Sequence, residues 1–301
     1  MALVPSIDDF PDYLSEGATI ALHHSTYGTI SATVVRPFRP RTVSHIVLAR
    51  ITEAPKQCRL SKDLLFVIKV FDARFIHYRS TDCITWNPEA ERRGWEIYQR
   101  NPVTDASDSD YDWPSHGDKD EGIPPDEDHV WEEFYLREVA SEFLRERAAY
   151  IRLSHLHGTG VPKFYGDGVL DLSSTTPART HNPPVILLEY ISDAVTLRDV
   201  DPLLLTETSM RSMLDLADRI NDYGVLLTDI NPGNFMFAPA ERPARAIALD
   251  FADAVVRNPT EDDQSWAESV SLQGARHTVK RWLRQRYEQM GLPVPAIVQR
   301  Q

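Results

Sequence analysis

Cysteine is nearly absent from this chain of 301 residues, which has two, Cys58 and Cys83. Two thiols cannot form the disulfide framework of a stapled secreted fold, so a reducing compartment is expected. Long apolar runs are missing as well. No stretch approaches the ~18 residues that a membrane span needs. The opening MALVPSIDDFPDYL has no basic segment followed by an apolar one, as a signal peptide would. Basic residues form no stripe of useful length, which removes the electrostatic footprint of a nucleic-acid binder. Together these absences predict a soluble, intracellular, cytoplasmic protein with neither nucleic acid nor membrane as partner.

What is present is enough for a packed core: hydrophobic residues make up 42% of the chain, against the low content of a disordered one. The length suits one large domain or two modest lobes. The net charge of −13 is concentrated, because twelve acidic residues and one lysine fall between Thr104 and Glu133, leaving the remainder nearly neutral. Global acidity therefore says little about partners.

The first part of the chain reads as strands. ATIALHH, TISATVVRPF and VSHIVLARI are rich in β-branched residues and separated by turn chemistry. DLLFVIKVF, residues 63–71, is a short apolar run holding a single lysine, which predicts a buried strand with one functional interruption. From about 101 to 128 the chain is Asp, Ser, Pro and Gly, and is expected to be an extended or disordered acidic insertion. Apolar residues at Leu136, Val139, Ala140, Phe143 and Leu144 follow helical spacing. PVILLEYI, from Pro184 to Ile191, predicts another buried strand. A helix is expected over Met210–Tyr223, ended by Gly224, and one more over Ser265–Gln289.

The segment LLTDINPGNFMF, Leu226–Phe237, carries the densest chemistry. Phosphoryl transfer needs a carboxylate to accept a proton from the acceptor hydroxyl, and oxygen ligands for magnesium nearby. Asp229 and Asn234, with four residues between them on one loop, supply such a pair. RAIALDFADA then ends an apolar run in Asp250-Phe251-Ala252, the way a second magnesium ligand is delivered from the end of a strand.

LLTDINPGNFMF followed by IALDFADA resembles the catalytic loop and the Asp-Phe-Gly segment of the protein-kinase-like superfamily. In particular it resembles divergent, fungal-type kinase-like proteins with features of aminoglycoside and choline phosphotransferases. The resemblance implies an α+β, two-lobed fold. Residues 1–190 would form a small N-lobe of antiparallel sheet plus a helix, and 191–301 a shortened, mainly helical C-lobe. It implies Lys69 as the holder of the ATP α- and β-phosphates and Glu146 as its partner, with Glu142 and Glu138 one and two turns earlier as alternatives. Glu189, Tyr190 and Ile191 would be the hinge whose backbone meets the adenine. It also implies Asp229 as catalytic base, Asn234 and Asp250 as ligands of Mg2+, ATP as cofactor, and a protein or small-molecule hydroxyl as acceptor.

Three positions depart from that pattern. No glycine occurs between Gly28 and Gly94, so the hairpin before Lys69, with tip RPFRPRT, lacks a glycine-rich phosphate loop. Arg36, Arg39 and Arg41 are either phosphate contacts or ordinary surface charge. Leu227 and Thr228 stand where the family has His and Arg, which removes control through a phosphorylated activation loop. Ala252 replaces the glycine of Asp-Phe-Gly. With 51 residues after Asp250 and no Ala-Pro-Glu segment, the platform for a peptide substrate is short. The alternative to an enzyme is a pseudokinase, a nucleotide- or protein-binding scaffold without turnover. The pairs His23-His24 and His155-His157 lack zinc spacing and read as surface or structural. Trp86, Trp95, Trp113 and Trp131 flank the insertion as anchors for it or for a partner.

Overall fold

β-branched residues alternating with polar ones favour strands buried on one face, and the N-terminal part of the chain is built on them. The computed structural model describes residues 11–38, 44–58, 60–76, 79, 84–105, 128–173 and 179–299. The acidic segment 106–127, Arg39, Arg41, Cys83 and Trp113 lie outside the described residues. The chain divides into two units, 1–144 with 165–190, and 145–164 with 191–301. Segment 145–164 thus clusters with the C-terminal half, whereas the sequence boundary at 190 placed it with the N-terminal half.

The first unit is built on β1 (Thr19–His24), β2 (Gly28–Pro37), β3 (His45–Glu53), β4 (Leu65–Val70), β5 (Phe164–Asp171) and β6 (Pro184–Glu189). They form a closed barrel in the order β1-β2-β3-β4-β6-β5. The expected antiparallel sheet is therefore closed, because β1 pairs with β2 on one side and with β5 on the other. Gly168 permits the closure: it stands opposite His24, and a Cβ there would lie 2.3 Å from the carbonyl oxygen of His23. Closure leaves no barrel edge to be protected. Leu22, Ile30, Ala32, Val47, Ala49, Phe66, Ile68 and Leu187 fill the interior with no exposed surface. Each large one contributes on the order of 1.5–3 kcal/mol of burial.

Two helices complete this unit. α1 (Pro88–Tyr98) was not anticipated from the sequence. It starts with Asn87 accepting from the backbone N–H of Glu89 at 2.9 Å and with Pro88 in the first turn. α2 (Asp128–Arg152) carries residues 128–144 in the first unit and ends in the second. Phe143 of α2 meets Phe71, just beyond β4, edge-on at 5.7 Å.

A buried charged network ties the start of this unit to its loops. The Asp72 carboxylate, fully buried, takes a 2.8 Å hydrogen bond from Arg74, a 3.2 Å one from Arg179 and a 2.5 Å one from the Tyr13 hydroxyl. Burial opposes its charge, but Arg179 and Arg74 hold it well below the ordinary carboxylate range. Arg179 also reaches Glu91 of α1 at 2.6 Å. Nearby, Arg79 makes a two-pronged pair with Glu132 of α2. Trp86 covers Arg74 and Arg179 at 5.5 and 5.9 Å, and Trp131 is 2% exposed, so both are structural within this unit.

The second unit holds short strands and four further helices. β8 (Val225–Leu226) pairs with β11 (Val255–Val256), and β9 (Phe235–Ala238) pairs with β10 (Arg245–Ala248) and with β7 (Val195–Thr196). α3 (Glu207–Asp222) begins three residues earlier than Met210 because Thr206 and Ser209 form a reciprocal capping box. The single helix expected over Ser265–Gln289 is two, α4 (Asp263–Gln273) and α5 (Ala275–Gln289). Gly274 breaks it with extended backbone, and a Cβ there would stand 2.4 Å from the carbonyl oxygen of Val270. α6 (Ala296–Gln299) ends the described chain. No helix among the described residues is long and apolar enough to cross a membrane.

Candidate functional site

Asp229 sits in the loop between β8 and β9, and Asp250 in the loop between β10 and β11. Because β8 pairs with β11 and β9 with β10, the two loops are held side by side. The Thr228 hydroxyl donates to the carbonyl of Asp253, a direct tie between them. The backbone N–H of Leu249 donates to the carbonyl of Asn234 at 2.8 Å, which sets Asn234 beside the residue preceding Asp250.

Within the first loop, Asp229 is exposed and its Oδ2 receives two amide hydrogen bonds of 2.9 Å, from Asn231 Nδ2 and Asn234 Nδ2. Asn234 Nδ2 also donates to the Asp229 carbonyl at 3.2 Å. With its amide nitrogen committed in this way, Asn234 keeps its oxygen for another partner. No hydrogen bond reaches Asp229 Oδ1 among the described residues. Asn231 closes the turn by accepting from the N–H of Gly233 at 2.8 Å, and Trp282 of α5 donates to the carbonyl of Ile230 at 3.2 Å, fixing the loop from its own unit.

The second loop departs from ordinary backbone. Asp250 has φ +60°, the left-handed region that non-glycine residues avoid. Phe251 follows, fully buried and edge-on to Tyr150 of α2 at 5.1 Å. Arg145 Nε donates to the carbonyl of Ala252 at 2.9 Å. Glu146, one turn before Tyr150, is 1% exposed. Burial pushes the Tyr150 phenol well above its usual value, and the charges of Glu146 and Asp250 push it further. Asp229, Asn234 and Asp250 are thus brought together, with Glu146 and Asp250 acting on one buried phenol.

The remaining sequence candidates belong to the barrel unit or its border. Lys69 lies on β4 and is 3% exposed. Ile68 and Val70 on either side belong to the barrel core, so Lys69 faces out of the barrel interior. Its Nζ is 5.5 Å from the centre of the Phe71 ring. Of the alternative glutamates, Glu142 is 3% exposed and Glu138 half-buried. β6 ends at Glu189, followed by Tyr190, whose hydroxyl accepts from Arg36 at 3.4 Å; Ile191 begins the second unit. The Glu189 charge raises the pKa of Tyr165 beyond what burial does. Two of the paired histidines make structural contacts: His24 Nδ1 caps the β1–β2 turn by accepting from Thr26 N–H at 3.0 Å, and His157 Nε2 bonds the Tyr150 carbonyl at 2.9 Å.

No family model matches the chain, and no curated protein matches it significantly in sequence. Its fold is similar to those of two solved kinases. One is the Rio2 kinase from Chaetomium thermophilum, in an ADP/Mg2+–phosphoaspartate complex, at 13% identity and TM-score 0.40, covering 84% of this chain and 55% of that one. The other is the ROP18 kinase domain with AMP-PNP and sucrose, at 10% identity and TM-score 0.40, covering 83% of this chain and 59% of that one. The chain therefore spans little more than half the length of either. At this level of likeness neither bears on chemistry, which stands on the residues above.

Tyr150, Arg145 and Trp282 hold the loops that carry Asp229, Asn234 and Asp250, and none of the three was singled out from the sequence. A buried aromatic on a helix gives no local sign that it meets a loop a hundred residues on.

Proposed function

We propose that the chain is an ATP-dependent phosphotransferase of the protein-kinase-like type, acting on a hydroxyl of a protein or small molecule. The observation that carries this reading is the pair of 2.9 Å amide hydrogen bonds on Asp229 Oδ2, made by Asn231 and Asn234. They hold the carboxylate in one orientation and keep Oδ1 available to accept the acceptor's proton. General-base help of this kind is worth on the order of 10²–10⁴ in rate.

The donor set fits magnesium. Asn234 retains an amide oxygen and Asp250 is a carboxylate on the neighbouring loop, both hard oxygen ligands. Mg2+ is bound through one or two protein oxygens together with substrate phosphates, and these two would be the protein's share. When bound it neutralises charge on the phosphates. Lys69 is proposed to hold the α- and β-phosphates, with Glu146 as its partner, and the backbone of Glu189 and Ile191, flanking Tyr190, to meet the adenine. Catalysis would consist of positioning and charge neutralisation, with no covalent intermediate on the protein.

The test is thermal unfolding with and without ATP and Mg2+, on the native chain and on Asp250→Ala. At ~100 times its dissociation constant a ligand adds about 2.7 kcal/mol to stability. A Mg2+-dependent shift that the variant loses is the expected result. Absence of any shift would replace the enzyme by a pseudokinase scaffold.

A further inference from the structure

We propose that the barrel unit carries a separate binding site for a small neutral aromatic molecule bearing one N–H or O–H donor. The site is a cavity of ≈ 220 Å³ whose walls come from α1 (Trp95, Tyr98), the face of α2 that includes Val139, Ala140 and Phe143, and the segment His181–Pro184 before β6. All of these residues belong to one unit, and the proposal is independent of the nucleotide reading.

Three observations define the ligand. The first is size: an apolar protein cavity of about 150 Å³ holds a benzene ring, so this one accommodates one to two fused rings. The second is shape. Trp95 is stacked with the His181 ring at 4.9 Å and 16°, and with Tyr98 at 5.4 Å and 23°, so a column of near-parallel rings lines the cavity across from α2. A planar ring adds to such a column in offset geometry.

The third observation is polarity. The His181 side chain is 6% exposed, and Nδ1 is buried, lacks a hydrogen bond and lies 3.5 Å from the Glu91 carboxylate. Glu91 is itself bonded to Arg179, so the charges behind the ring are paired with each other. Burial and the neighbouring Arg179 keep the imidazole uncharged. On this proposal the imidazole proton sits on Nδ1, toward the carboxylate, and Nε2 is the acceptor. No hydrogen bond occupies Nε2 among the described residues. The cavity thus offers an apolar slot with one acceptor and no net charge, which selects a neutral ring with a single donor over a charged or fully apolar one.

The experiment uses the full chain, 5-fluoroindole observed by 19F NMR, and indole and indene as competitors, the latter an isostere without the N–H. Saturable binding is expected, weakened at least about tenfold by Ala140→Phe, which fills the slot. Indole should compete about fivefold better than indene, as one neutral hydrogen bond allows, and His181→Phe should erase that preference. Trp95→Leu, on the half-exposed face of α1, breaks the column of rings and serves as a second variant if the fold does not accommodate the larger side chain at position 140. Absence of saturable binding, or binding unchanged in both Ala140→Phe and Trp95→Leu, overturns the site. Equal competition by indole and indene in the native chain overturns the role of His181.

Discussion

Asp250 is held at φ +60°, and that geometry can be separated from the carboxylate it carries. A left-handed conformation costs an L-residue roughly 1–2 kcal/mol, and glycine escapes that cost. Glycine in turn loses about 0.5–1 kcal/mol more chain entropy on folding. The 3.4 Å hydrogen bond from Ala252 N–H to Asp250 Oδ1, with the side chain's other interactions, is lost alike in Asp250→Gly and Asp250→Ala, so comparing the two variants isolates the backbone. Asp250→Ala keeps the Cβ without the rest of the side chain and should be less stable than the glycine variant by about 1 kcal/mol or more. Urea unfolding of the three proteins, with midpoints compared at constant slope, reads these differences. Both variants should lose the Mg2+-dependent stabilisation by ATP. Equal stability of the alanine and glycine variants would refute the strained backbone. A glycine variant that still responds to Mg2+ and ATP would refute Asp250 as a ligand.

Asp72→Asn removes the anion between Arg179, whose side chain is fully buried, and Arg74, which is 12% exposed. Breaking a buried pair costs about 3–5 kcal/mol, and urea unfolding should show it; a loss under ~1 kcal/mol would mean the arginines find other anions. His181 has its pKa lowered to about 3 by burial and by Arg179, with Asp72 opposing and Arg74 adding to the effect. The unfolded chain, titrating near the ordinary value of ~6.5, takes up a proton that the folded chain refuses. Stability from this group is thus complete above that value and falls with pH toward 3, by at most about 1.4 kcal/mol per pH unit. Glu91, raised by burial, opposes part of this slope. Unfolding midpoints between about pH 6.5 and 4 should fall less in His181→Phe than in the native protein, and parallel profiles would contradict the assignment.

Much of the barrel is legible because strand signals are local. Residues 65–70 announce β4 by an apolar run, and turn chemistry separates β1, β2 and β3. The closure is not legible, since it depends on Leu22 facing Leu170 across most of the first unit's span of chain. The α1 helix had its signal in Asn87-Pro88 followed by Glu89 and Glu91, but Gly94 and the charged run 91–93 obscure its apolar face. At the site, Asp229 and Asn234 are readable because four residues separate them on one loop. Asp250 is readable as the end of a strand. Tyr150 is not, because what makes it relevant is contact with Phe251. The Asp72–Arg179 pair spans 107 residues, and neither partner sits in a pattern that predicts the other.

Two non-glycine residues among those described have positive φ, Asp63 at 69° and Asp250 at 60°. Asp63 lies in the connection from β3 to β4, where its N–H bonds the carbonyl of Ile51 at 2.9 Å and Leu64 N–H bonds the carbonyl of Ser61 at 3.2 Å. The Ser61–Leu64 β-turn puts Asp63 at its third position, where positive φ is called for and Asp tolerates it, so the turn itself explains the conformation. Asp250 stands just past the end of β10, near a second costly feature: the Tyr150 hydroxyl is buried with no hydrogen bond among the described residues. An unmade buried hydrogen bond costs about 1–3 kcal/mol. Two such costs, linked through Phe251 and set beside the oriented carboxylate of Asp229, are what the proposed phosphotransferase reading expects where stability is given up for chemistry. Asp63 carries no such neighbour, which is why strain at Asp250 points to function and strain at Asp63 points only to a turn.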